Sequence, residues 1–268
     1  MSPAIDAVFA GWSLPPLLTI AIVVTGGVYL RGWLAIRKTR RAQFSALRLS
    51  CFLLGLAALW VAVGSPLDGF ADLLLSAHMV QHLVLMSVVP PLLLLGWPVV
   101  PLLRGVPAPL VAPLLRVSML RRLGRWLISP LVAWIAMNAV FVGWHVPAAY
   151  DFALEHEDWH AFEHICFLAS SLAFWWAIIR PWPTRLRANS WIPVLSLLSA
   201  DLVNTALSAF LAFCDRPVYT YYLTQSNPFH VPPLSDQIVG AVIMWVLGSF
   251  VFLVPATLIA FRLLQTPI

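Results

Sequence analysis

The chain has 268 residues, 61% hydrophobic and only 10% charged, with a mean hydropathy of +0.88. That excludes an ordinary soluble domain, which carries about 25% charged residues. The net charge of +5 does not point to nucleic acid, because the charges are sorted by connection and not gathered in one patch.

Seven apolar runs follow one another, at about 15–36, 44–63, 70–95, 129–146, 159–180, 191–213 and 236–262. Each approaches or exceeds the roughly 20 residues that span a bilayer as helix. The runs are continuous and rich in Leu, Ala and Val, whereas barrel strands would alternate over about 10 residues. The expected fold is all-α, a single seven-helix membrane domain over 1–268. The first run lacks a basic segment and a small-residue cleavage site ahead of it, and reads as a span and not a cleaved leader.

The connections fix an expected orientation. Arg31, Arg37, Lys38, Arg40, Arg41 and Arg48 bracket the first. Arg104, Arg116, Arg121, Arg122 and Arg125 fill the third, Arg180, Arg185 and Arg187 the fifth, and Arg262 closes the last run. The alternate connections hold Asp6, Asp68, Asp72, Asp151, Glu155, Glu157, Asp158, Asp215 and Asp236, with Arg216 their one basic residue. Basic connections stay cytoplasmic, so the N-terminus is expected outside and the C-terminus inside.

The third run should bend near Pro90–Pro91 and stop by Trp97–Pro98, because proline breaks the helical ladder. Residues 108–126 read as an interfacial amphipathic segment with Arg116, Arg121, Arg122 and Arg125 toward headgroups. The connection 214–235, with Tyr219, Tyr221, Tyr222 and Phe229, reads as an aromatic belt and cap.

Polar residues inside these runs carry the functional signal, since burying a chargeable group in lipid is expensive. The third run holds His78-Met79-Val80-Gln81-His82, and the fifth holds His160 and His164 with Glu163 between them. Spacing by four puts each histidine pair on one helix face. The fourth run ends at His145, so three runs offer imidazoles at one depth. Two half-sites of this kind suit copper or zinc, and a haem with imidazole ligands stays open. Met79 and Met244 are thioether candidates for a soft ion. Glu163, Asp201, Gln81 and Asp236 are candidates to orient the ligands. For Asp201, mid-span with Asn204 and Ser208 on adjacent turns, a proton relay and a helix–helix bond stay open. Asp236 also reads as an N-cap of the seventh run. His156 and His230 fall in loops and are expected outside the site. Cys51, Cys166 and Cys214 are scattered and form no dithiol motif.

No nucleophile elbow, phosphate-binding loop, HExxH or dinucleotide fingerprint is present, and no enzyme activity is expected. Taken together, several stretches resemble the multi-span CtaG family of cytochrome c oxidase assembly factors, over about residues 45 to 260. They are Ser65-Pro66-Leu67, Ser76-Ala77-His78-Met79-Val80-Gln81-His82, Pro90-Pro91-Leu92 and Gly96-Trp97-Pro98. Further on come Trp144-His145-x-Pro147-x-x-Tyr150-Asp151, His160-x-x-Glu163-His164, Asp236-Gln237 and Met244-Trp245. The resemblance implies a bacterial plasma-membrane protein that helps mature a haem–copper terminal oxidase at its copper-supply step. Its partners would be oxidase subunits, other copper assembly factors and membrane lipid.

The expectation is therefore a copper-holding chaperone, with His78 and His82 as first ligands, then His160, His164 and His145. The alternatives are a haem-binding or electron-transfer protein, and a metal-free scaffold. A transporter using Asp201 is disfavoured, because no inverted repeat or pair of broken helices is evident.

Overall fold

A computed structural model describes Phe9, Trp12 and residues 14–181, 191–225 and 227–265, without the side chains of 114–116, 120 and 121. Asp6, Arg185 and Arg187 lie outside the described residues, as do the side chains of Arg116 and Arg121. All the regular structure among the described residues is helical.

Two apolar helices come first, α1 (Pro16–Arg37) and α2 (Ala46–Gly64). A short α3 (Leu67–Ala71) leads into the third span, built from α4 (Leu75–Leu83), a π-helical turn (Val84–Val88) and α5 (Val89–Leu95). The expected proline bend is thus a change of helix type. Proline at 90 has no N–H to bond the carbonyl of residue 86 and crowds it. A π-turn absorbs the mismatch, and the Trp175 indole N–H donates to Met86 O at 3.0 Å in place of the lost donor. The span stops at Gly96 and Trp97, the latter with φ 52°.

The proline-rich stretch folds as α6 (Val99–Gly105), α7 (Ala108–Arg116) and α8 (Ser118–Leu127), with Arg122 and Arg125 exposed on α8. The fourth run departs from expectation. α9 (Pro130–Trp144) has 15 residues, about 22 Å at 1.5 Å per residue and short of a 30 Å hydrocarbon core. The chain then turns by 74° into α10 (Pro147–Glu155). Pro147 imposes the corner, since the residue before a proline avoids the helical region, and Val146 is extended. His145 sits at that corner.

The remaining helices are α11 (Glu157–Ile179), α12 (Ile192–Phe213), α13 (Tyr221–Thr224) and α14 (Pro233–Gln265). Six helical segments are long and apolar enough to cross a membrane, or seven if the bent α9–α10 pair counts as one span.

Two cores result. The larger joins α4, α5 and α9 to α14, with Tyr150, Phe167, Phe174, Trp175 and Leu197 in its interior. The smaller packs Tyr29, Trp33, Ile36, Phe44, Phe52 and Leu56 between α1 and α2. α1 and α6 meet backbone to backbone: a Cβ on Gly32 would lie 1.8 Å from Pro101 O, and one on Gly105 1.9 Å from Val28 O. Small residues let membrane helices approach this closely.

Candidate metal centre

The site lies where the first turns of α4, α11 and α14 meet the corner after α9. α4 begins without a side-chain cap of its own. Its second N–H, from Ser76, donates instead to the Asp236 carboxylate of α14 at 3.3 and 3.4 Å, and the Ser76 hydroxyl bonds the same group. Asp236 therefore secures the helix that carries His78 and His82.

His78, His82 and Glu163 are buried, and His160 and His164 are partly so. The ring centroid of His78 lies 5.1 Å from that of His160 and 6.2 Å from that of His164, and His82 lies 5.7 Å from His164. Two overlapping trios, His78–His160–His164 and His78–His82–Glu163, each bring three donor atoms within 4.8 Å of one another. Tetrahedral coordination with bonds of about 2.0–2.1 Å spaces its donors about 3.3 Å apart. Either trio reaches that by small side-chain rotations.

Hydrogen bonding assigns the tautomers. The single Tyr222 hydroxyl proton goes to Ala71 O at 2.9 Å. At 3.2 Å the Tyr222 oxygen then accepts from His78 Nδ1–H, and at 3.3 Å from Tyr150. Burial raises the Tyr222 pKa well above its ordinary value and keeps it a donor. With its proton on Nδ1, His78 presents a bare Nε2, which lies 2.7 Å from His82 Nε2. His82 must donate there, which leaves His82 Nδ1 bare, buried and without a partner. A metal ion would replace that shared proton. Glu163 Oε1 is 3.6 Å from His82 Nε2, and both Glu163 oxygens lack a hydrogen-bond partner. The Nε2 atoms of His145, His160 and His164 are likewise buried and unpartnered. Native interiors satisfy nearly all such atoms, so this concentration sets the cluster apart as a candidate site.

Above the cluster lies an acidic rim. Asp68 accepts from the Gln81 amide at 2.6 Å, and the same amide bonds Ala62 O at 2.8 Å. Burial raises the Asp68 pKa despite that bond, and His160 and Glu157 are within electrostatic reach. Partial desolvation at the rim, where the residue still keeps a solvent-exposed face, then the neighbouring Asp68 and Glu157, push Asp72 up to about 6.

Comparisons with known proteins place the chain in a family. A family model described as cytochrome c oxidase caa3 assembly factor (Caa3_CtaG) matches residues 27–266. The chain belongs to that family. Uncharacterised proteins of Mycobacterium bovis and Mycobacterium tuberculosis are each 29% identical over 252 residues, covering 91% of this chain. One of Mycobacterium leprae is 26% identical over 254 residues. The chain spans 38% of the length of these relatives. No solved structure matches.

Of the residues expected at the site of this Caa3_CtaG chain, His78, His82, His160 and His164 converge. His145 stands one step away, its ring 6.1 Å from His82 and its Nδ1 bonded to Phe141 O at 2.7 Å. Glu163 faces the imidazoles directly and does not stand behind them. Gln81 and Asp236 hold backbone and the rim and bond no histidine. Asp201 is remote in bonding terms: its Oδ1 has no partner, while Asn204 donates to Met244 O at 3.2 Å. His156 and His230 are exposed. Met79 and Met244 line a separate cavity beside His82.

Sequence reasoning missed Tyr150 and Tyr222. The connection 214–235 is not a belt alone, because Tyr219 and Tyr222 are buried beneath the rim. The Tyr150 signal was present in the segment after His145, but nothing in the sequence pairs positions 150 and 222.

Proposed function

We propose that the chain holds a copper ion between His78, His82, His160, His164 and Glu163 and passes it to a nascent subunit of a haem–copper oxidase. Membership of the caa3 assembly-factor family supplies the oxidase. One observation supports the metal: four imidazoles and a carboxylate converge, with the Glu163 oxygens and several ring nitrogens lacking any other partner. Imidazole and carboxylate donors suit copper, and a site built from two helices can release its ion by a small shift between them. The site does no bond-breaking chemistry in this reading, and the protein is not an enzyme.

The charge asymmetry supports an orientation. With the basic connections cytoplasmic, the acidic rim of Asp68, Asp72 and Glu157 faces outward in the plasma membrane of a bacterium. It draws cations toward His160, the most accessible ligand. Lipid and the helices of the oxidase cover exposed apolar side chains such as Leu17, Leu202 and Phe213. Other copper assembly factors would dock at the rim.

An ion fits better than haem. Ring centroids 5.1 to 6.2 Å apart leave no gap for a macrocycle between facing imidazoles. Elemental analysis of the detergent-purified protein beside its His78→Ala/His82→Ala variant tests the proposal. Copper in the first and not in the second is expected. Iron would restore the haem reading, and no metal in either would leave a scaffold that stabilises an oxidase intermediate.

A further inference from the structure

The cavity beside His82 is a second and chemically different place. It is enclosed between α4, the π-turn, α9, α12 and α14, with a volume of about 30 Å³. That is room for a single ion or water. Met79, Met86, Met137 and Met244 line it, together with His82 and His145. The chain has 6 methionines. These four are the buried ones among the described residues, and Met119 is 76% exposed. Methionine filling irregular gaps would be spread through both cores. Here all four buried thioethers, from three spans, come to one chamber.

The two imidazoles that line it reinforce the point. His145 donates its Nδ1 proton to Phe141 O, so its Nε2 is a bare lone pair, buried and unpartnered. His82 Nδ1 is bare for the reason given above. The amide of Asn204, also at this wall, is spent on Met244 O. The lining residues therefore include four thioethers and two imidazoles, each with one bare ring nitrogen. Such a wall repels anions, and it suits a cation that prefers thioether to water.

We infer that this chamber binds one soft monovalent coinage-metal ion, Cu(I) or its analogue Ag(I), through Met137 and Met244, with Met79, Met86, His82 or His145 completing the set. It is distinct from the imidazole–carboxylate site and connected to it through His82. That residue presents Nε2 to His78 and leaves Nδ1 bare. The choice of metal rests on the proposed function; the sulfur site itself does not.

The test uses the full chain in detergent under anaerobic conditions, titrated with Cu(I) against a chromophoric chelator and examined by X-ray absorption at the copper edge. Two variants separate the sites. Met137→Leu/Met244→Leu preserves volume and removes chamber sulfur. His160→Ala/His164→Ala removes outer ligands that do not line the chamber. Sulfur scattering in the wild type is expected, lost with at least a tenfold fall in affinity in the first variant and kept in the second. Copper bound only by nitrogen and oxygen in the wild type would overturn the inference. So would sulfur scattering unchanged in Met137→Leu/Met244→Leu, or loss of the sulfur-bound ion in His160→Ala/His164→Ala. Sulfur-bound copper with no effect of His160→Ala/His164→Ala on total metal would uphold the chamber and defeat the outer site. Loss of the nitrogen-bound ion alone would uphold both.

Discussion

Replacing Tyr222 by phenylalanine removes one oxygen and leaves three buried groups without partners, one of them the Tyr150 hydroxyl at 3.3 Å. Ala71 O loses its donor at 2.9 Å, and His78 Nδ1–H loses its acceptor at 3.2 Å. Each orphaned group costs about 1–3 kcal/mol, so Tyr222→Phe should destabilise the folded protein by about 3 kcal/mol or more. The effect on the site is separable from stability. The Tyr222 oxygen holds the His78 proton on Nδ1 and keeps Nε2 free to bind, and loss of such an orienting partner costs about 10–100-fold in metal affinity. Thermal unfolding in detergent and copper titration by competition measure the two effects on one preparation. Tyr221→Phe, at the half-buried neighbour, should leave both near wild type. Wild-type affinity in a Tyr222→Phe variant of reduced stability would refute the tautomer argument, because His78 would then be held ready by something else. Unchanged stability as well would refute the hydrogen-bond assignment itself.

Three further outcomes are expected. Gly105→Ala places a Cβ 1.9 Å from Val28 O, which forces α1 and α6 apart and should cost about 2–4 kcal/mol by thermal unfolding; Gly143→Ala, with nothing near its Cβ, is the control. Asp236→Ala leaves the Ser76 N–H and hydroxyl without their acceptor and should cost about 1–2 kcal/mol, the value of a helix cap. It should also weaken metal binding, since α4 carries two ligands. Asp72 keeps its proton in the fold up to about pH 6, against an ordinary value of 3.8. The native state thus binds the extra proton, and stability falls as pH rises through that window. Asp72→Asn should be more stable than wild type at pH 8 and equal to it near pH 4, by less than about 1 kcal/mol because the side chain is exposed. Melting curves at the two pH values decide it.

Apolar run length and charge placement were enough to expect an all-helical membrane bundle. Most span ends agree with the helices, as with 191–213 against Ile192–Phe213. The reason is that the bilayer imposes a local rule, about 20 apolar residues per crossing. Where another local rule intervened, the reading slipped. Pro147 shortens the fourth helix and turns the chain by 74°. At Pro90, where a bend was expected, the helix makes a π-turn, and Trp175 supplies the missing donor.

The histidine pairs were legible for a similar reason: spacing by four places two imidazoles on one face whatever surrounds the helix. What the sequence alone determined about this protein is therefore the set of spans, the sorting of charge between its two ends and the ligand types available. Only the tertiary structure decided which ligands meet. It brought Glu163 among the imidazoles and left Asp201 apart. It set Tyr222 beneath His78, turned Asp236 into a cap for another helix, and gathered Met79, Met86, Met137 and Met244 around one chamber. Those placements depend on how helices rotate and cross, which side-chain packing between distant segments sets and no periodicity within one segment can encode.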